Sequence, residues 1–320
     1  MWHWRAIGVA LFLLADQASA AAGRSREFPK TDFSIHSVPL SEIISGGPPR
    51  DGIPAIDRPE FVPVRLAGIP KTEPVISIEI NGMARAYPFR VLIWHEIVND
   101  VIDGVPIAVT YCPLCNAAVV FSRRVEGRAL DFGTTGRLRN SDLVMYDRQT
   151  ESWWQQYTGE AIVGALTGMT LERLPARIES LALFRARFSA GEVLVAPKNR
   201  FRNYGGSPYP RYDSLKRPFL YSGRPPPGIA PLARVVSVGE RAWSLELLRR
   251  KKRIEAGDLV LTWQPGQNSA LDEALIEQGR DVGNVVVRRR DGGRLVDVAY
   301  GVDFAFAFHA FYPDAEIVTE

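Results

Sequence analysis

Two cysteines, Cys112 and Cys115, lie in the run Tyr111-Cys112-Pro113-Leu114-Cys115-Asn116 and are the only thiols in the chain. A Cys-x-x-Cys spacing brings two sulfurs within reach of one metal ion or of each other, and both uses need thiolates. A thioredoxin-like pair begins a helix, whose N-terminal dipole lowers the first thiol's pKa. Here the following residues, Ala117 to Ser122, read as a strand, so a turn between two strands resembling a metal knuckle fits better. One knuckle supplies two ligands, and tetrahedral zinc needs four. The remainder must come from His95, Met145, a carboxylate or another molecule. Copper(I) accepts two or three soft ligands and suits this inventory better than zinc. Two other uses stay open: a thiol-disulfide oxidoreductase in which one cysteine attacks and the other resolves, and a non-catalytic protein whose bridged pair only tightens a turn.

The supporting residues have plainer explanations as well. His95 sits in Trp94-His95-Glu96 at the end of a helical pattern, where a lone histidine is commonly structural. Met145, in Leu143-Val144-Met145-Tyr146, alternates like a core strand. The stretch from Asn140 to Trp154 gathers Asp142, Tyr146, Asp147, Glu151 and Trp153, which with Tyr111 can line a polar cleft holding an acid, a base or a ligand. Turn chemistry accounts for the same residues. No phosphate-binding glycine loop, zinc-protease helix or serine elbow occurs, and His3, His36 and His309 share no metal spacing with His95. Whether the protein is an enzyme stays open on these residues.

The chain of 320 residues is 46% hydrophobic with a net charge of +3, which leaves no electrostatic footprint for nucleic acid. The basic run Arg249 to Arg253 follows an apolar stretch and reads as a solvated helix end. Arg5, an apolar run from Ala6 to Ala15 and then Ala18-Ser19-Ala20 have the order of a cleavable signal peptide over 1–20. That run is far short of the ~20 residues of a membrane-spanning helix. A periplasmic or secreted location is therefore expected, with any small ligand or metal-delivery partner unidentified.

The elements that must position the cysteines follow from periodicity. Residues 21–72 are rich in Pro and Gly and read as an extended arm. Val75 to Ile80 and Ala84 to Tyr87 flank Asn81-Gly82, a hairpin signature, and Phe89 to Ile97 has helical spacing. Strands follow at Val105 to Tyr111, Ala117 to Ser122, Ala129 to Phe132 and Ser141 to Tyr146 and around Trp153 and Trp154, with a short helix over Leu181 to Phe188 and a strand from Val193 to Ala196. Residues 198–232 carry Pro225-Pro226-Pro227 and no sustained period, as a linker does. Beyond them three blocks recur in order: Arg241 to Leu248 on Arg85 to Leu92, Val285 to Val298 on Val119 to Phe132, and Phe304 to Val318 on Leu181 to Val195. The expected fold is a β-rich α+β protein of two related halves, 73–197 and 233–320, with short helices packed on antiparallel strands. In the second half Lys251 replaces His95, and Trp263-Gln264-Pro265-Gly266 replaces Tyr111-Cys112-Pro113-Leu114. The first half then carries the site and the second supports it.

The runs Tyr87 to Leu92, His95 to Asp100, Val109 to Cys115, Phe132-Gly133 and Leu143 to Ser152 together resemble the bacterial family called domain of unknown function 3179. The likeness extends through Asn203-Tyr204-Gly205 and Tyr209 to Ser214. It implies a shared fold and no mechanism. Asn116 stands where many relatives are expected to carry glycine, which leaves both sulfurs in place.

Overall fold

A computed structural model describes residues 23–198 and 202–320; the signal-peptide expectation falls outside them. The arm contributes β1 (Ile44–Ser45) and β2 (Phe61–Pro63). The body continues with β3 (Pro74–Ile80), β4 (Met83–Pro88), α1 (Phe89–His95), β5 (Ile97–Ile102), β6 (Val105–Cys112) and β7 (Ala117–Ser122). A ribbon of β8 (Arg124–Val125) and β9 (Arg128–Ala129) leads to β10 (Phe132–Arg139), β11 (Asp142–Asp147), β12 (Trp153–Gln155) and β13 (Ala161–Val163). Next come β14 (Arg177–Ser180), α2 (Leu181–Arg187) and β15 (Glu192–Leu194). After an irregular stretch follow β16 (Arg234–Val238), β17 (Arg241–Ser244), α3 (Leu245–Lys251), β18 (Arg253–Ala256), β19 (Leu259–Gln264), β20 (Asn284–Asp291), β21 (Arg294–Asp297), β22 (Gly301–Phe304), α4 (Ala305–Phe311) and β23 (Ile317–Val318). Strand outweighs helix, 39% to 15%, so the protein is β-rich, and its five larger sheets make a propeller-like ring.

Local chemistry explains the main turns. Asn81 and Gly82 both have positive φ, the requirement of a two-residue hairpin turn between β3 and β4. Each of the four labelled helices is two turns long and starts directly from a strand. Ser180 and Ser244 cap α2 and α3 by accepting from the Leu183 and Leu247 amides. Helices this short are held by packing, since they lie below the length at which propensity alone sustains a helix.

The two parts of the chain have matching topologies. The order β14-β3-β4-β15 in one sheet is repeated as β22-β16-β17-β23 in another, with β15 parallel to β4 and β23 parallel to β17. Likewise β5-β6-β7 corresponds to β18-β19-β20. The first part alone adds the sheet β1-β10-β11-β12-β13. The Tyr111 amide donates to Glu96 O, and the Trp263 amide donates to Lys252 O in the equivalent place, which equates these residue pairs. Elsewhere strand pairing moves the equivalences by one residue. Val285 lies opposite Trp263 as Ala118 lies opposite Tyr111, so Val285 equates with Ala118 rather than Val119. Ile317 pairs with Ala242 as Val193 pairs with Ala86, so it equates with Val193 rather than Leu194. A one-residue slip preserves apolar composition while exchanging the faces of a strand, which is why matching by type alone misplaces it.

The two parts are not separately cored. One cluster of buried apolar residues runs from Ile56 to Ala307. The packing also crosses over: β7 lies against β22, and β20 lies against β14. Each part's central sheet thus docks on an edge strand of the other.

Candidate metal centre

The cysteine turn joins β6 to β7 as a knuckle between antiparallel strands. It closes through the Asn116 amide, which donates to Pro113 O at 3.2 Å. Asn116 has φ of 51°, a conformation that glycine and asparagine tolerate best. Its side chain donates to Val302 O at 2.6 Å and accepts from the Tyr111 hydroxyl at 3.3 Å. Two more bonds reach the turn from later in the chain: the Phe304 amide to Cys115 O at 2.9 Å, and the Tyr212 hydroxyl to Leu114 O at 2.9 Å. The second part of the chain therefore braces the knuckle directly.

Both sulfurs point at the hairpin between β10 and β11. Asn140 and Ser141 both take positive φ there, which turns Ser141 O toward the thiols, 3.4 Å from Cys115 Sγ and 3.8 Å from Cys112 Sγ. The next residue, Asp142, completes a cluster in which one ligand atom from each of Cys112, Cys115 and Asp142 lies within 4.8 Å of the others. All three are buried, and both cysteines are free. Asp142 Oδ2 accepts from Gln155 Nε2 at 2.6 Å and the Tyr157 amide at 2.9 Å, whereas Oδ1 is buried with no partner among the described residues other than the facing thiols.

Glu96 supplies a second buried carboxyl beside this group. It ends α1 in a left-handed conformation, and its backbone amide is bound to Leu92 O at 2.7 Å. Glu96 and Cys112 line one recessed cavity of about 70 Å³, together with Leu114, Leu143, Arg137 and Tyr209. Burial pushes the Glu96 carboxyl up to about 8, with the Asp142 charge adding to the effect. Burial likewise holds Asp142 at about 7, against the hydrogen bonds that favour its charged form. Both thiols are raised by burial, Cys115 well above its ordinary value, and Asp142 adds to the shift in each. Without a cation, the group is neutral by preference.

The other residues singled out by spacing are placed elsewhere. His95 directs Nδ1 to Pro54 O at 2.7 Å and Nε2 to the Tyr204 hydroxyl at 2.8 Å, so both ring nitrogens are engaged away from the sulfurs. Met145 is buried in the main core between Thr134 and Trp154. It lies three residues along β11 from Asp142, about 10 Å at the rise of a strand, too far to share a metal with it. Tyr111 is buried on Phe89, with ring centroids 4.3 Å apart.

The acidic and aromatic stretch does not form one cleft. Asp147, at the far end of β11, accepts from Thr150 and Trp154 Nε1 and so closes a turn. Tyr146, Glu151 and Trp153 receive the arm. Tyr146 donates to Asp51 at 2.5 Å, Glu151 accepts from the Lys30 amide at 2.9 Å and from Arg50 at 3.0 Å, and Trp153 packs edge-on against Phe28 and Phe33. Of those acidic and aromatic side chains only Asp142 reaches the sulfurs.

Glu96 was not among the residues selected by spacing. Its signal lies in the comparison between halves: the αL residue ending the equivalent helix is Lys252, whose ammonium sits 3.8 Å from the centre of the Trp263 ring. The backbone is shared and the charge reversed. Looking at His95 and Lys251, one residue earlier, passes over this exchange.

Fold and site together define a β-rich protein of two topologically matched parts with a buried Cys₂-carboxylate group at one knuckle. The chain belongs to the family described as protein of unknown function (DUF3179), whose profile matches residues 50–315. No curated protein and no solved structure matches it.

Proposed function

We propose that the protein binds one metal ion through Cys112, Cys115 and Asp142. The observation that carries this reading is the convergence of three buried donors within 4.8 Å, one of them a carboxylate whose Oδ1 has no partner among the described residues other than the facing thiols. A buried carboxylate with one oxygen left to face two thiols is costly when charged and becomes favourable when a cation neutralises it. Tetrahedral zinc holds its sulfurs about 3.8 Å apart, a spacing the cluster accommodates with small movements. The carboxylate also changes the preferred metal. Two thiolates alone suit copper(I), whereas two thiolates and a harder oxygen suit a borderline divalent ion such as zinc.

The matched topology supports a functional role for these side chains. We regard the two parts as degenerate copies of one unit, in which the second builds the same strands and turn with Lys252, Trp263 and Gln264 in place of Glu96, Tyr111 and Cys112. The architecture does not require the site residues. A thiol-disulfide exchange role is less well supported, because it needs an exposed first sulfur and a lowered thiol pKa. Cys112 is 2% exposed and its thiol is raised. The N-terminal sequence leads us to place this metal protein in the periplasm or outside the cell. Among the described residues no helix is long and apolar enough to cross a membrane.

The test is anaerobic titration of the reduced protein with Zn(II) and Cu(I) against competing chelators. One equivalent of tightly held zinc is expected, weakened more than about 100-fold in Cys112→Ser, Cys115→Ser and Asp142→Asn, beyond the usual effect of outer partners. Uptake that survives both cysteine substitutions would overturn the reading.

A further inference from the structure

Three side-chain donors converge in the cluster, whereas a tetrahedral ion takes four ligands. A further oxygen faces the same two sulfurs: the carbonyl of Ser141, 3.4 Å from Cys115 Sγ and 3.8 Å from Cys112 Sγ. With metal–sulfur bonds of about 2.3 Å and metal–oxygen bonds of about 2.0–2.2 Å, the sulfur–oxygen edge of a tetrahedron is about 3.5–3.7 Å long. The two separations straddle that length. Ser141 is buried, and among the described residues the two thiols are the only donors to its carbonyl. Those donors vanish when the cysteines lose their protons to a metal. A buried carbonyl left without a partner costs free energy unless the ion takes their place. The carbonyl is also fixed in direction. Asn140 and Ser141 have φ of 54° and 63°, which sets the peptide plane, and the Ser141 hydroxyl anchors the turn by donating to Phe219 O at 2.6 Å.

We propose, resting on the metal reading, that the Ser141 carbonyl oxygen is the fourth ligand and that the site is thereby closed. Two hairpin turns then supply two donors each: Cys112 and Cys115 from the turn between β6 and β7, and Ser141 O and Asp142 from the turn between β10 and β11. All four donors belong to buried residues. A full set of protein ligands leaves no position for a substrate, so the ion holds structure or is stored and does not act as a Lewis acid. The second oxygen also sharpens the choice of metal. Copper(I) is satisfied by the two sulfurs and gains little from a carbonyl, whereas a borderline divalent ion uses both oxygens.

The sequence makes this carbonyl observable by itself. Ser141-Asp142 is the only Ser-Asp pair in the chain, so reduced protein labelled with ¹³C at serine carbonyls and ¹⁵N at aspartate gives a single carbonyl–amide correlation. Coordination draws electron density from the carbonyl, and zinc loading is expected to move that carbon resonance downfield. Loss of the thiol hydrogen bonds without coordination moves it upfield. An upfield or unmoved resonance in zinc-loaded protein would overturn the proposal. Cobalt(II) supplies the second readout, because its ligand-field bands report coordination and its thiolate charge-transfer band reports the cysteines. Saturating imidazole or azide is expected to leave both unchanged. Ligand-field bands that shift while the charge-transfer band persists would show an open fourth position and would also overturn it. Absence of any thiolate charge-transfer band would instead overturn the metal reading beneath it.

Discussion

Replacing Asp142 by Asn separates a latent metal ligand from a structural carboxylate. The Asn side-chain oxygen can keep the bonds from Gln155 and the Tyr157 amide, and its NH₂ then faces the sulfurs and Ser141 O. The fold should survive. In the metal-free wild type, burial holds the Asp142 carboxyl at about 7 against an ordinary 3.8. The folded state therefore keeps a proton that the unfolded chain has lost, so stability falls as pH rises from about 4 through about 7. The full loss is about 4 kcal/mol above that range. Asp142→Asn has no such group to ionise. In the presence of a chelator it should exceed the wild type by about 1–2 kcal/mol at pH 5 and by about 2–4 kcal/mol at pH 8, the latter roughly 4–8 °C in Tm. Glu96, raised to about 8 in part by the Asp142 charge, loses that repulsion in the variant, which adds to the variant's advantage at pH 8. Zinc at a hundredfold excess over its Kd should restore about 2.7 kcal/mol to the wild type and much less to the variant. The order of stability then narrows or reverses on adding metal. Urea denaturation at both pH values, with chelator and with zinc, measures all four terms. A metal-free variant less stable than the wild type at pH 8 would refute the reasoning and make Asp142 a fold-stabilising carboxylate.

Two further substitutions test how the knuckle and its sheet are held. Asn116→Gly retains the left-handed backbone and should cost about 1 kcal/mol for its lost side-chain bonds, whereas Asn116→Val also forces a β-branched residue into that conformation and should cost about 3 kcal/mol; equal losses in urea denaturation would remove the backbone argument. Arg123 is buried and donates to Ile107 O, Leu130 O and Asp100 O as well as to Asp131. Arg123→Met strands those carbonyls and should cost about 3–5 kcal/mol with zinc stoichiometry unchanged at one, so a near-neutral urea midpoint would contradict it.

Much of the local structure was legible before any coordinates. Asn81-Gly82 specified its hairpin because both residues tolerate positive φ, and short apolar runs marked β6 and β7 on either side of the cysteines. The correspondence of Tyr111 with Trp263 was readable from residue type and order. Its meaning for Glu96 was not, because the comparison rested on His95, the residue with the more familiar chemistry. The strand registers near Val285 and Ile317 were also beyond reach, since pairing partners rather than composition set them.

The knuckle itself, its two sulfurs and the strands around it were determined by the sequence alone, because they follow from short-range turn chemistry and short apolar runs on either side. The third donor was a tertiary decision. Asp142 lies 27 residues past Cys115, and it meets the thiols because consecutive left-handed residues at Asn140 and Ser141 fold β10 onto β11 with Ser141 O facing the knuckle. The same packing sent Tyr146, Glu151 and Trp153 to the arm and engaged His95 with Pro54 and Tyr204. Spacing along a chain lists which groups have suitable chemistry; only the docking of one hairpin on another decides which of them share a few ångströms of buried space.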